Sequence, residues 1–233
     1  MFTKPTPAWI LAGGGFLTAC AGSVNAVGFL GVHHRALSHL SGPITVLSTE
    51  LAAGELTLAA RAFLVVVSFF VGCILSGFIV RQSVLKLGRR YGFVLVLEAI
   101  LLVVAVRFLK TGDIAGDCCA AAACGLQNAM ATSYSGAVIR TTHMTGIVTD
   151  LGLACGHLLR GNKVELPRMR LHAVLLAGFF LGGILGTIGY QRIGYDTLLF
   201  PAAACGITGL AYTIFKHIDR QRRNRIAPPT PST

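Results

Sequence analysis

The sequence predicts an all-α membrane protein with six transmembrane helices and two short re-entrant half-helices, built as two inverted-topology repeats. Three observations lead there. The chain has 233 residues, of which 54% are hydrophobic and 12% charged, with a mean hydropathy of +0.69. That is too apolar for a water-soluble domain of this length. A pattern in residues 22–45 returns about a hundred residues later in residues 124–150. Basic residues gather at the ends of apolar runs, and they do so at opposite ends of equivalent runs.

The repeat rests on three matches in the same order. Gly22, Asn25 and Ala26 align with Gly125, Asn128 and Ala129. His39-Leu-Ser-Gly-Pro-Ile-Thr45 then aligns with His143-Met-Thr-Gly-Ile-Val-Thr149, with one residue of slack. Phe69-Phe-Val-Gly72 aligns with Phe179-Phe-Leu-Gly182. The expected organisation is a cytoplasmic lead at 1–7, a first membrane repeat at 8–110, a second at 111–215, and a basic disordered cytoplasmic tail at 216–233.

Residues 8–30 are apolar and glycine-rich, long enough at 1.5 Å per residue to cross a hydrocarbon layer of about 30 Å. The run exceeds a signal-peptide core and reads as the first span, helix A. Residues 31–40, with His33, His34, Arg35 and His39, interrupt it. Helix B follows at 41–53, with Ser41 or Gly42 as N-cap and Pro43 in the first turn. At about 20 Å it is too short to cross. Helices C and D are expected at 61–80 and 91–108. The second half repeats this with A′ at 114–136, a break at 137–143, B′ at 144–158, C′ at 171–190 and D′ at 197–215.

The basic clusters are Arg81, Lys86, Arg89 and Arg90; Arg160, Lys163, Arg168 and Arg170; and Lys216, Arg220, Arg222, Arg223 and Arg225. All three are expected in the cytoplasm. The first follows C whereas the second precedes C′, so equivalent helices run in opposite directions. An inverted repeat needs an odd number of crossings per half, and B and B′ are the segments that do not cross. Their irregular approaches are tolerated at membrane depth only when buried in protein or lining a cavity. Both termini then lie inside, and Arg107 and Lys110 fall outside against the rule. If B crossed fully, the halves would be parallel and one basic cluster would be external.

The segment Gly22-Ser-Val-Asn25-Ala-Val-Gly28 followed by residues 38–45, and Gly125-Leu-Gln-Asn128 followed by residues 141–152, resemble the YoaK-type family of small bacterial inner-membrane proteins of unassigned function. The similarity covers the chain up to the tail. It implies a multi-pass protein of the bacterial inner membrane and implies no activity. Pro43 and Ile44 stand where the family pattern has Asn and Thr, which argues against a polar role there.

If B and B′ re-enter from opposite faces, their amino ends and unpaired amides approach a common cavity that favours an anion or carboxylate. The expected solute-binding residues are Asn25, His39, Ser41 and Thr45 in the first half, and Asn128, His143, Thr145 and Thr149 in the second. Capping and backbone bonding compete as roles for the hydroxyls, and interhelical bonding competes for the asparagines. Asp150, Glu50 and Glu98 are ionisable residues in apolar segments and are expected to couple protons. His33 and His34 are expected at the interface, and His157 and His172 near helix ends.

Cys20, Cys73, Cys118, Cys119, Cys124, Cys155 and Cys205 lie in or beside apolar segments without metal-ligand spacing and read as packing residues. No metal, cofactor or catalytic constellation is expected, since no phosphate loop, HExxH or GxSxG occurs. The net charge of +11 is explained by topology rather than by nucleic acid. Gly178, Gly182 and Gly186, with Gly72 and Ser76, form small-residue stripes for close helix packing or for a homo-oligomer contact. The expected partners are the lipid bilayer and a small solute. The leading reading is a permease for an anionic or zwitterionic solute. The rivals are a channel-like pore, an intramembrane enzyme and an assembly protein.

Overall fold

A computed structural model describes residues 6–80, 90–135 and 139–226. Among these the fold is entirely helical, with no strand. The elements are α1 (Ala8–Leu30), α2 (Ser41–Ala53), α3 (Leu56–Ile79), α4 (Arg90–Leu109), α5 (Ile114–Ser135), α6 (Met144–Leu159), α7 (Leu166–Ile193), a 3-10 turn (Gly194–Leu198) and α8 (Leu199–Ile226). Arg81, Lys86, Arg89 and residues 136–138 lie outside the described residues.

Four helical runs are long and apolar enough to cross a membrane: Ala8–Leu30, Leu56–Ile79, Arg90–Leu109 and Leu166–Asp219. The fourth has 54 residues, about 80 Å at the helical rise, which is far more than one crossing needs. Gly194, at φ 61°, breaks it in the left-handed region that glycine enters without strain. The 22-residue α5 is as long as a span but carries Asp117, Gln127 and Asn128 among alanines and glycines. Large apolar side chains face outward on the long helices, among them Phe63, Phe70 and Phe78 on α3 and Phe180 and Leu185 on α7. An apolar surface this extensive is a lipid-facing surface.

Helix pairing fixes the directions. Gly15 meets Val174, and further along Gly186 meets Ser23, so α1 and α7 are parallel. Trp9 packs against Tyr134 with ring centroids 5.9 Å apart, while His33, just beyond α1, meets Asp117 at the start of α5. Thus α1 and α5 are antiparallel. Gly92 meets Thr213 and Ala99 meets Gly206, so α4 and α8 are antiparallel as well. The end where α1 starts is called proximal here and the other end distal. Helix α1 ends distally and α3 starts distally, with α2 between them. Helix α5 ends proximally and α7 starts proximally, with α6 between them.

The closest packing joins elements from the two halves. A Cβ at Gly22 would strike the Phe179 carbonyl, and one at Gly125 would strike that of Phe69. One at Gly182 would strike the Ala19 carbonyl, and one at Gly72 that of Ala122. The small-residue stripes are therefore consumed inside the chain. Gly182, Gly186, Gly72 and Ser76 are buried against α1 and α5, so they offer no oligomer face. The structure uses them for close helix packing within the chain.

Other expectations shift. Helix α3 begins at Leu56, five residues earlier than expected, because Gly54, at φ 79°, closes α2 and turns the chain directly into α3. Neither Ser41 nor Gly42 caps α2; Leu40 precedes it without a side-chain bond. The tail expected to be disordered from 216 is helical to Ile226. Arg and Gln are good helix formers, and cations favour a helix carboxyl end.

Candidate functional site

The core is divided along the bundle axis. A proximal cluster holds Leu11, Tyr91, Leu95, Met130, Tyr134, Cys20 and Cys205. A distal cluster holds Val24, Leu37, Leu102, Val106, Ala120, Cys124 and Leu198. At the junction Glu98 of α4 and Gln127 of α5 are 3% and 1% exposed. Gln127 Nε2 donates to Glu98 Oε1 at 2.8 Å, and Cys205 Sγ of α8 reaches the same oxygen at 3.6 Å. Cys20 of α1 lies beside Cys205 in the same buried cluster. Four helices, two from each half of the sequence, thus converge on one carboxyl. Among the described residues, Glu98 Oε2 and Gln127 Oε1 meet no hydrogen-bond donor. A buried acceptor left in that condition is costly, so it marks a site.

On the proximal side of this cluster the same four helices part around a cavity of about 210 Å³. Helix α1 contributes Trp9, Gly13 and Leu17; α4 contributes Tyr91 and Leu95; α5 contributes Met130 and Tyr134; α8 contributes Thr208 and Tyr212. The wall is aromatic: Tyr91 and Tyr134 meet edge to face at 6.0 Å, and Trp9 tilts against Tyr134. Lys216 lies over the Tyr212 ring at 5.9 Å. Leu17, Leu95, Met130 and Thr208 are each three residues from Cys20, Glu98, Gln127 and Cys205 in turn. The cavity therefore points at the buried carboxyl and stops about one helical turn, roughly 5 Å, short of it.

The distal side is packed. Leu37 is wholly buried against Gly28, and Asn25 Oδ1 accepts from the Leu37 and Ser38 amides at 3.2 and 3.3 Å. His33 Nδ1 lies 2.7 Å from Asp117 Oδ2. The Val32 amide donates to Tyr195 Oη at 2.8 Å, and Lys110 Nζ meets Asp196 at 2.6 Å. Residues 31–40 thus fold back over the distal end and are pinned to α1, α5 and the Gly194–Leu198 turn.

The expected site residues are not gathered. Helices α2 and α6 pack on α3 and α7 and make no contact with each other. Ser41, Thr45, His143, Thr145 and Thr149 are exposed. Thr45 and Thr149 spend their hydroxyls on the Ser41 and Thr145 carbonyls, both at 2.9 Å, a helix-internal bond. Asn25 holds the break after α1, the structural alternative for that residue. Asn128 is half-buried, and its Oδ1 has no partner among the described residues. His39 is half-buried beside Ser38, and burial pushes its imidazole below the usual range. Asp150 pairs with Arg168 at 3.1 Å and with His172 at 3.8 Å on the rim of α6 and α7. Glu50 is half-buried on α2. Of the expected residues, Glu98 alone belongs to the central cluster.

Sequence reasoning missed Gln127, Cys20, Cys205, the three tyrosines and Asp117. Asp117 carries the same signal that singled out Glu98, an acid inside an apolar segment. His33, just beyond α1, is its partner.

A lipid-faced helical bundle with a carboxyl and an amide closed into its centre defines a multi-pass membrane protein. The chain belongs to the DUF1275 family, the YoaK-like membrane proteins of unknown function, whose description matches residues 14–211, from α1 into α8. No curated protein and no solved structure matches the chain.

Proposed function

We propose that the chain is a permease of the bacterial inner membrane. It works by alternating access, with its solute path along the axis shared by α1, α4, α5 and α8. In this reading α1, α3, α4, α5, α7 and α8 cross the bilayer, and α2 and α6 are re-entrant elements that start and finish on one face. The halves are inverted repeats, a reading supported by the antiparallel pairs α1 with α5 and α4 with α8 and by the matched glycine contacts. Arg90, the Arg160 to Arg170 cluster and the end of α8 all fall at the proximal end, which the positive-inside rule makes cytoplasmic. Both termini are then cytoplasmic. Lys110, on the wrong side for that rule, is neutralised by Asp196.

One observation carries the proposal: a cavity between α1, α4, α5 and α8 directed at an acid drawn into the bilayer interior, with the distal side of that acid packed. A carboxylate there is expensive, so Glu98 changes charge only together with a proton or a bound cation. That is the coupling a proton-linked carrier needs. The packed distal core and the pinned distal loop favour a carrier over an open pore, which needs a continuous path. The solute site moves from the amino ends of α2 and α6 to the central cavity, because those ends do not meet.

The test is flux in proteoliposomes under an imposed pH gradient. The wild-type chain is expected to accumulate its solute against a gradient, and Glu98→Gln to lose proton-driven accumulation. Accumulation that ignores both the pH gradient and Glu98 would remove the proposed coupling.

A further inference from the structure

We infer that the central site takes a protonated amine carrying an apolar body of about the size of an aryl ring with a short alkyl chain. This assignment rests on the permease reading above and names the class of its solute. The argument begins with the deep end. Glu98 Oε2 and Gln127 Oε1, in side chains 3% and 1% exposed, have no partner among the described residues, and once Glu98 is ionised both are acceptors without donors. One N–H of Gln127 Nε2 and the Cys205 thiol both go to Glu98 Oε1 and leave Oε2 unmet. A group with several N–H donors and a positive charge complements that pair. A carboxylate or phosphate would meet two oxygens and no cation.

The walls agree with this polarity. Among the described residues no lysine, arginine or histidine lines the cavity, whereas Trp9, Tyr91, Tyr134 and Tyr212 do. Aromatic faces attract a cation and bury the apolar body attached to it. A dry cavity of about 150 Å³ suffices for benzene. The 210 Å³ here therefore has room for a ring and a short chain. Between cavity and carboxyl stand Leu17 and Met130, and methionine is the side chain most able to change shape. A rotamer change there extends the path by the missing turn. The exchange balances: the ammonium enters as R–NH3+, Glu98 gives up its carboxyl proton to water, and the bound state is a carboxylate paired with an ammonium.

The experiment uses the purified full-length chain in detergent with 4-phenylbutylammonium as probe. Trp9 is the single tryptophan of the chain and lies in the cavity wall, so its fluorescence reports occupancy. The expected result is a saturable fluorescence change with release of a proton into weakly buffered medium, and weaker binding as pH falls. Glu98→Gln is expected to weaken binding by about tenfold or more, the loss of one charge-assisted bond in a dry site, and to abolish proton release. The isosteric anion 4-phenylbutyrate is expected not to compete. Competition by 4-phenylbutyrate, or binding by wild type that is independent of pH, overturns the assignment. The pH series needs no variant and stands even if Glu98→Gln fails to fold. If the amine binds with proton release but does not cross proteoliposomes, the permease reading fails and the amine site stands. If another solute is driven by the pH gradient through Glu98 while the amine does not bind, the amine assignment fails and the permease reading stands.

Discussion

Gln127 Nε2 sits 2.8 Å from Glu98 Oε1, joining α5 to α4 through two side chains that are almost completely buried. The bond binds the two halves of the chain at their common axis. It also leaves each side chain with one oxygen that meets no donor. That combination distinguishes this pair from an ordinary interhelical bond. A purely structural pair gains by satisfying every acceptor, and this one keeps two in reserve.

The first prediction concerns that bond. Gln127→Leu removes a donor from Glu98 and is expected to lower stability in detergent by about 1–3 kcal/mol, the cost of stranding a buried polar group. In the double variant with Glu98→Leu the losses are expected to be less than additive, since the stranded partner is gone. Thermal unfolding of the four proteins measures this. Strict additivity would mean that the two side chains do not interact.

The second prediction concerns the glycines at the crossings of α1 with α7 and α3 with α5. Gly22→Ala and Gly125→Ala each push a methyl group into a facing backbone carbonyl, which no rotamer relieves. Each is expected to destabilise by about 1–3 kcal/mol or more. Gly77→Ala, in α3 with open space around it, is expected to be neutral or to stabilise by up to about 1 kcal/mol through helix propensity. Equal effects at Gly22 and Gly77 would contradict the packing described.

Much of the fold is legible in the sequence because hydrophobic run length is a local property. The six long helices and two short ones fall where the apolar runs lie, and the ends shift where a turn or a cap decides. Glu98 stood out for the same reason, as a lone acid in an apolar run. The rest of the site is not local. Cys20, Gln127 and Cys205 look like packing residues one at a time and acquire meaning only when three helices bring them to Glu98. The tyrosines at the proximal ends of α4, α5 and α8 are equally silent. The recurrence around His39 and His143 falls on the starts of α2 and α6 and the residues just before them. Recurrence of sequence does not mark a ligand contact, however, and Asn25, within α1, spends its side chain on the loop after that helix.

The third prediction follows from Asn25. Its side chain accepts from the Leu37 and Ser38 amides and holds residues 31–40 over the distal end. Asn25→Ala is expected to cost about 1–2 kcal/mol locally, as for loss of a capping side chain. Hydrogen exchange at the Leu37 and Ser38 amides is expected to accelerate while the amides of α4 and α8 stay protected. Uniform acceleration across the bundle would make Asn25 a global stabiliser rather than the fastening of one loop.

The fourth prediction concerns the distal closure around Asp117. This acid is buried next to His33 and one residue before Cys118, a half-buried thiol on α5 facing Ser68. Asp117→Asn keeps the shape but removes the charge that draws His33 inward, so residues 31–40 are expected to open more often. In a chain with Cys118 as its sole cysteine, a membrane-impermeant maleimide added from the distal side is expected to react faster in Asp117→Asn than with Asp117 in place. His33→Ala, which removes the other member of the pair, is expected to give a similar increase, and the double variant no more than either alone. If labelling is unchanged in both single variants, the closure is held by Leu37, Tyr195 and the Lys110–Asp196 pair without help from His33. The His33–Asp117 contact would then have no part in closing the distal end, while the Glu98 site would remain untouched.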